Sequence, residues 1–147
     1  MRLARLTFLI CMVASWFFVV ERGHACTCMA PATTADAFKK SSAVFTGRVV
    51  KLSRPFLDTL GITRTAGSRV KFEITKRWKG TPSKSTVVTT RLSGEACGFP
   101  FEEKKEYLVY VVNEPSDIQT GICTGTKHFA DAALEMKQLD ALLENRH

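Results

Sequence analysis

The chain has 147 residues, 45% of them apolar and 24% charged, with 21 Lys+Arg against 14 Asp+Glu and a formal net charge of +7. That length and balance fit one globular domain and exclude a disordered or fibrous chain. The apolar residues are not spread evenly. Leu6 to Val20 is a run of fifteen uncharged residues, preceded by Arg2 and Arg5 and followed by Glu21-Arg22-Gly23-His24-Ala25. A basic start, a 7–15-residue apolar stretch and a small-residue exit describe a secretory signal peptide over 1–25. The run is short beside the roughly 17–25 residues of a bilayer crossing. Gly23-His24-Ala25 lacks the apolar residue expected three positions before a lipidated cysteine, which argues against a lipid on Cys26. The expected mature chain runs from Cys26 to His147, with 122 residues, 18 basic and 13 acidic side chains and a net charge of +5. Its expected location is secreted and extracellular, or periplasmic in a host with an outer membrane.

Along the mature chain, Thr33–Ser41 reads as a short helix with Thr33 or Thr34 as its cap and Asp36 in its first turn. Ala43–Ser53, rich in Val, Phe and Thr, predicts a strand, with Gly47 marking a bulge. Arg54–Ser68 holds Pro55, Gly61 and Gly67 and reads as a long connection. Arg69–Trp78 alternates, with Val70, Phe72 and Ile74 on one face and Lys71, Glu73 and Thr75 on the other. Gly80–Ser83 is a turn, and Ser85–Leu92 a third strand. Tyr107–Val112 is a continuous apolar strand, and Ile118–Cys123 a short fifth one. The period then changes: Phe129, Ala132, Ala133, Met136, Leu139, Leu142 and Leu143 recur at helical spacing, which predicts a helix covering the sheet. Five strands and a terminal helix without alternating βα units predict a small β-barrel with packed helices.

The signal segment takes Cys11 with it, leaving Cys26, Cys28, Cys97 and Cys123. In an exported protein an even number reads as a disulfide framework, and four cysteines allow three pairings. Cys26 and Cys28 point to opposite sides of an extended chain, so a bond between them would be strained.

Cys26-Thr27-Cys28-Met29-Ala30-Pro31, then Ala37-Phe38, then Ala43-Val44-Phe45-Thr46-Gly47-Arg48-Val49 resembles the mature start of the tissue inhibitors of metalloproteinases. Ala96-Cys97-Gly98 and Lys104-Lys105-Glu106-Tyr107-Leu108 resemble the second half of their inhibitory domain, and Trp78-Lys79-Gly80 fits the wider netrin-like module. The resemblance implies a mainly β fold: a five-stranded OB-fold-like (netrin-like) barrel over 26–147, with a short N-terminal helix and a C-terminal helix packed on it. It implies the disulfides Cys26–Cys97 and Cys28–Cys123. Three departures stand out: Lys39 occupies the position where the family's third disulfide begins, Ala30 stands where proline is frequent, and Glu95 is charged where the family tends to be small or apolar.

The resemblance also implies a function. A catalytic zinc in a protease has three protein ligands and an exchangeable water. A free α-amino group and the carbonyl of the same residue close a five-membered chelate on such a zinc, and only the first residue of a chain supplies both; here that is Cys26. The amine's reference pKa of about 8 makes protonation a modest obstacle. Thr27 would enter the first primed-side pocket, with Cys28, Met29, Ala30 and Pro31 along the groove and Ser93, Gly94, Glu95 and Ala96 on the unprimed side. The expected partner is a zinc metalloprotease, and the protein itself is expected to be a monomer and no enzyme, with no cofactor or metal of its own. The competing reading is a netrin-like interaction module in which the cysteines are anchors only.

A redox reading of Cys26-Thr27-Cys28 is disfavoured, because thiol–disulfide enzymes usually place two residues between their cysteines at a helix start. The motif H-E-x-x-H is absent, and only His128 and His147 remain in the mature chain. The basic groups Lys39-Lys40, Arg69-Lys71, Lys76-Arg77-Lys79 and Lys104-Lys105 point to a polyanionic extracellular surface as a second partner. Export argues against nucleic acid.

Overall fold

The computed structural model describes residues 31–53, 67–80, 84–91, 97–114 and 117–145. The expected signal segment 1–25, the segment Cys26–Ala30, the connection 54–66, the turn 81–83 and residues Ser93–Ala96 lie outside these described residues.

The first helix, α1 (Thr34–Lys40), begins where its cap predicts. The Thr33 hydroxyl accepts from the Asp36 backbone N–H at 3.1 Å and donates to the Asp36 carboxylate at 2.8 Å. That carboxylate lies at the positive end of the helix dipole. At the other end, the Lys79 ammonium donates to the carbonyls of Phe38 (2.7 Å) and Lys39 (3.1 Å) and sits 5.1 Å from the centre of the Phe38 ring. Two carbonyls left orphaned by the helix end are thereby satisfied from a neighbouring strand.

The strands are β1 (Ala43–Ser53), β2 (Ser68–Lys79), β3 (Ser85–Thr90), β4 (Glu106–Glu114), β5 (Asp117–Thr120) and β6 (Lys127–His128). They pair β1–β2–β3–β5–β4, and β4 pairs back with β1, closing a five-stranded OB-fold-like barrel. All pairings are antiparallel except β3–β5. The register between β1 and β2 steps at Thr46/Gly47, where the sequence predicts a bulge, and again at Val44/Phe45 and Val49/Lys51. A side chain at Gly47 would place its Cβ 2.9 Å from the Glu73 carbonyl oxygen, so only glycine permits this approach of the two strands. The two-residue β6, on the edge of β4, has no counterpart in the sequence reading.

Two cores result, and β4 belongs to both. Tyr107, Val109 and Val111 point into the barrel with Phe45, Val49, Val70, Phe72, Val88, Phe99 and Phe101. Leu108 and Tyr110 point outward, beneath Ala37, Phe38, Trp78, Ala132 and Leu139. A strand covered on both faces reads as an unbroken apolar run rather than as alternation, which explains the Tyr107–Val112 pattern. Inside the barrel, Phe72 meets Phe45 and Phe101 edge-on at 5.7 and 5.2 Å, the geometry that aromatic quadrupoles favour.

The terminal helix α2 (Ala133–Glu144) covers the second core through buried Leu139 and half-buried Met136, Leu142 and Leu143. Phe129 departs from the predicted stripe. It lies in a 3-10 turn (Phe129–Asp131) and is 39% exposed, because three residues per turn breaks the 3.6 period before α2 begins. Asp140 fastens the helix to β2: its carboxylate accepts from Trp78 Nε1 at 2.7 Å and pairs with Lys76 Nζ at 2.7 Å. These contacts, with Lys76 first, hold the Asp140 carboxyl below the usual carboxylate range. A lowered folded pKa contributes stability above the ordinary value of 3.8, and that stability is lost as pH falls through the folded value. Asp140→Ala should therefore cost about 1 kcal/mol at pH 7, solvent screening limiting the effect at this half-exposed site. Urea unfolding of variant and parent at pH 7 and below pH 3 checks this; the gap should narrow at low pH.

Candidate functional site

Of the residues that the sequence marks for function, Pro31, Cys97 and Cys123 lie within the described residues, whereas Cys26, Thr27, Cys28, Met29, Ala30, Ser93, Gly94, Glu95 and Ala96 do not. Cys97 is placed by the residues just after it in the chain. Phe99 and Phe101 insert into the barrel core, and the Phe99 N–H donates to the Thr90 hydroxyl at 2.8 Å. Cys97 itself has φ of 57°, the left-handed region that costs a non-glycine residue about 1 kcal/mol. Its carbonyl accepts from the Ile122 N–H at 3.2 Å. A Cβ on Gly121 would lie 2.5 Å from the same carbonyl oxygen, so glycine is required for this contact.

The sequence reading carries β5 through Cys123. The strand ends instead at Thr120, and Cys123 sits in a 3-10 turn, Ile122–Thr124. The physical reason lies in the β4 ladder. On the edge away from β1, β4 pairs with β6 at Tyr107 and Leu108 and with β5 from Val112 onward. Between them the backbone N–H and C=O of buried Tyr110 lack a strand partner, and buried backbone groups left unpaired are costly. Threonines fill the gap. The Tyr110 N–H donates to Thr126 Oγ1 at 3.0 Å, and the Thr120 hydroxyl donates to the Tyr110 carbonyl at 2.8 Å. Thr120 and Thr126 contact each other at 2.7 Å, Thr126 and Thr124 at 3.1 Å, and the Thr124 hydroxyl donates to the Gly121 carbonyl at 2.8 Å. The hydroxyls that complete β4 thus also fix the turn that carries Cys123.

Cys97 and Cys123 are both disulfide-bonded. The other three cysteines, Cys11, Cys26 and Cys28, lie outside the described residues. Pro31 comes close to this same end of the barrel: with Thr34, Ile122, Lys127, Glu135 and Gln138 it lines an open groove of about 550 Å³ between α1, α2 and the Cys123 turn. The chain entering α1 therefore runs beside the turn that touches Cys97.

The groove's polar groups are engaged with one another. The Thr34 hydroxyl donates to Gln138 Oε1, and Lys127 pairs with Glu135. Glu135 also accepts from the Tyr110 hydroxyl at 2.7 Å. Burial first, then the neighbouring Glu135 carboxylate, pushes the Tyr110 phenol far above its ordinary pKa, so it stays protonated and keeps donating. Among the described residues no group of three or more His, Cys, Asp or Glu side chains is placed to hold a metal ion. His128 lies against Tyr107 and Phe99, ring centres 4.8 and 5.9 Å apart.

The basic groups separate by use. Lys76 and Lys79 are engaged with α2 and α1 respectively. Arg69 and Lys71 stand exposed on the outer face of β2. The residues that sequence reasoning missed are Thr120, Thr126 and Glu135, whose roles depend on the β4 gap and on α2. The run Thr120-Gly-Ile-Cys-Thr-Gly-Thr126 carries the two threonines, yet nothing in its composition separates an anchoring threonine from a solvent-facing one.

Thr126→Val removes the acceptor of a buried N–H while keeping the side-chain volume, and should destabilise the protein by about 1–3 kcal/mol. Denaturant unfolding measures this directly, with exposed Thr33→Val as a comparison in which only a helix cap is lost. No protein-family model matches this sequence, and no curated protein matches it significantly.

Proposed function

We propose that the chain is a secreted inhibitor of zinc metalloproteases, similar to the inhibitory domain of the tissue inhibitors of metalloproteinases, and that its active element is the processed N-terminus. The observation that carries this reading is the convergence of Cys97, the Cys123 turn and Pro31 at one end of an OB-fold-like barrel, with both cysteines in disulfides. Pairing Cys26 with Cys97 and Cys28 with Cys123 ties the segment before Pro31 to two neighbouring, rigidly held points. Each closes a long loop and contributes on the order of 4 kcal/mol in the chain-entropy model, although the overlapping loops do not add in full.

The same bonds serve binding. On this reading they hold Cys26-Thr27-Cys28 extended, so that little ordering entropy is lost on entering a cleft. The Cys26 α-amine and carbonyl displace the water on the protease zinc and offer no bond to cut. Thr27 fills the first primed-side pocket, and Met29, Ala30 and Pro31 continue along the groove. Ser93-Gly94-Glu95-Ala96, tethered beside Cys26 through Cys97, lies on the unprimed side, where Glu95 biases target choice towards clefts that accept a negative charge. The strain at Cys97 fits such a role, since sparsely populated backbone conformations persist where the surroundings over-determine them.

Two measurements test this. One alanine added before Cys26 should abolish inhibition of a sensitive metalloprotease while leaving the melting temperature unchanged, because it moves the α-amine off the chelating residue. Equal inhibition by the extended protein removes the chelation mechanism. Thr27→Gly should weaken inhibition about tenfold through loss of pocket contacts and of chain stiffness; an unaltered inhibition constant across several proteases would discard the pocket role of Thr27.

A further inference from the structure

We propose that the groove between α1, α2 and the Cys123 turn is a binding site for a small aliphatic monocarboxylate, one that does not depend on the Cys26 α-amine. Its volume of about 550 Å³ lies within the range of about 300–1,000 Å³ that small-molecule sites occupy. Pro31, Ala37 and Ile122 give it apolar lining, and Lys127, Glu135 and Gln138 its polar groups. Ile122 keeps 41% of its surface exposed, apolar area that a ligand can cover.

Hydrogen-bonding capacity sets the polarity of the ligand. The acceptors are already in use. The Tyr110 hydroxyl donates to Glu135 Oε1, Lys127 pairs with Glu135 Oε2, and the Thr34 hydroxyl donates to Gln138 Oε1. Donors are left over. A lysine ammonium carries three N–H groups and a glutamine amide two. Lys127 directs one contact to Glu135, and among the described residues nothing accepts from the Gln138 amide N–H groups. Glu135 and Gln138 are three positions apart on α2, hence neighbours on its surface, so the Glu135-bound ammonium and the Gln138 amide share one wall. A molecule that satisfies this wall must bring acceptor oxygens.

Charge narrows the choice further. Glu135 keeps its negative charge, but its side chain is 14% exposed against 37% for Lys127, and both of its oxygens are held. Asp36, which accepts from the Thr33 hydroxyl, is not among the lining residues. The ammonium is therefore the charge that the groove presents, on a chain whose formal net charge is +7. One presented cation matches a single carboxylate rather than a phosphate or a dicarboxylate. The carboxylate meets the Lys127 and Gln138 N–H groups, and the hydrocarbon covers Pro31 and Ile122.

The test titrates the exported protein at pH 7 with octanoate, read by NMR chemical shifts, with 1-octanol and acetate as comparison probes. Octanoate should bind with a dissociation constant of about 1 mM or lower, an ordinary affinity for about ten non-hydrogen atoms. The shifts should centre on Ile122, Lys127 and Gln138. Octanol lacks the charge and acetate lacks the hydrocarbon, so each should bind at least about tenfold more weakly. Q138E still offers the Thr34 hydroxyl an acceptor but removes the amide donors and adds a like charge, and should weaken octanoate at least about tenfold. Gln138 is exposed, so the Q138E melting temperature should match the parent's and the loss is not one of folding. K127R keeps charge and donors and should change affinity less than about threefold. No octanoate binding by the parent, equal binding of octanol or of acetate, or unchanged octanoate binding by Q138E would overturn the proposal. Acetylating the α-amine should leave octanoate binding intact; its loss would move the ligand to the N-terminus and overturn the assignment to the groove.

Discussion

Everything in this protein leans on β4 being buried on both faces. One face, Tyr107, Val109 and Val111, completes the barrel interior, and the other, Leu108 and Tyr110, is the floor on which both helices rest. A strand in that position cannot leave a backbone polar group unpaired, since no water reaches it. The short β6, the antiparallel pairing with β5 and the threonine hydroxyls at Tyr110 all answer that one demand. The C-terminal helix is fastened to the same layer by carboxylates rather than by apolar contact alone: Glu135 takes the Tyr110 hydroxyl, and Asp140 takes the Trp78 indole N–H and the Lys76 ammonium.

This constraint also sets where the two described cysteines stand. The chain before β4 is pinned by Phe99 and Phe101 in the barrel, which leaves Cys97 at the rim in a left-handed conformation. The chain after β5 is pinned by Thr120, Thr124 and Thr126, which leaves Cys123 in a turn one residue from the Cys97 carbonyl contact. The completed β4 ladder and the turn that carries Cys123 therefore share the same side chains. A lesion in the threonine network would be felt at the end of the barrel where Pro31 enters α1.

Much of the barrel was legible in the sequence because burial there is periodic. The alternation of Val70 and Phe72, the unbroken Tyr107–Val112 run and the Thr33 cap each follow from a local rule, and each matches the structure. Three features were not legible. The β5 strand stops before Cys123 because Thr120 and Thr126 must serve the Tyr110 backbone, contacts between residues 10 and 16 positions apart. Phe129 leaves the helical stripe because a 3-10 turn precedes α2. The basic residues look alike in sequence, yet Lys79 caps α1 and Lys76 meets Asp140, while Lys51 and Lys71 stand opposite each other on neighbouring strands. Such sorting depends on strand register, which composition does not encode. The proposed site was read from cysteine spacing alone, and of the residues expected to touch a protease only Pro31 lies within the described residues.

Inhibition, as proposed, depends on an atom that export creates. A rigid barrel can exist in any netrin-like module, whereas a free α-amine on Cys26 exists only if processing ends at Ala25. N-terminal sequencing and intact mass of the exported protein examine this most directly. The expected result is a chain that starts at Cys26 with an unmodified amine and has no free thiol at Cys26, Cys28, Cys97 or Cys123. A start at any other residue, or a blocked amine on Cys26, would contradict zinc chelation and leave the barrel as an interaction module.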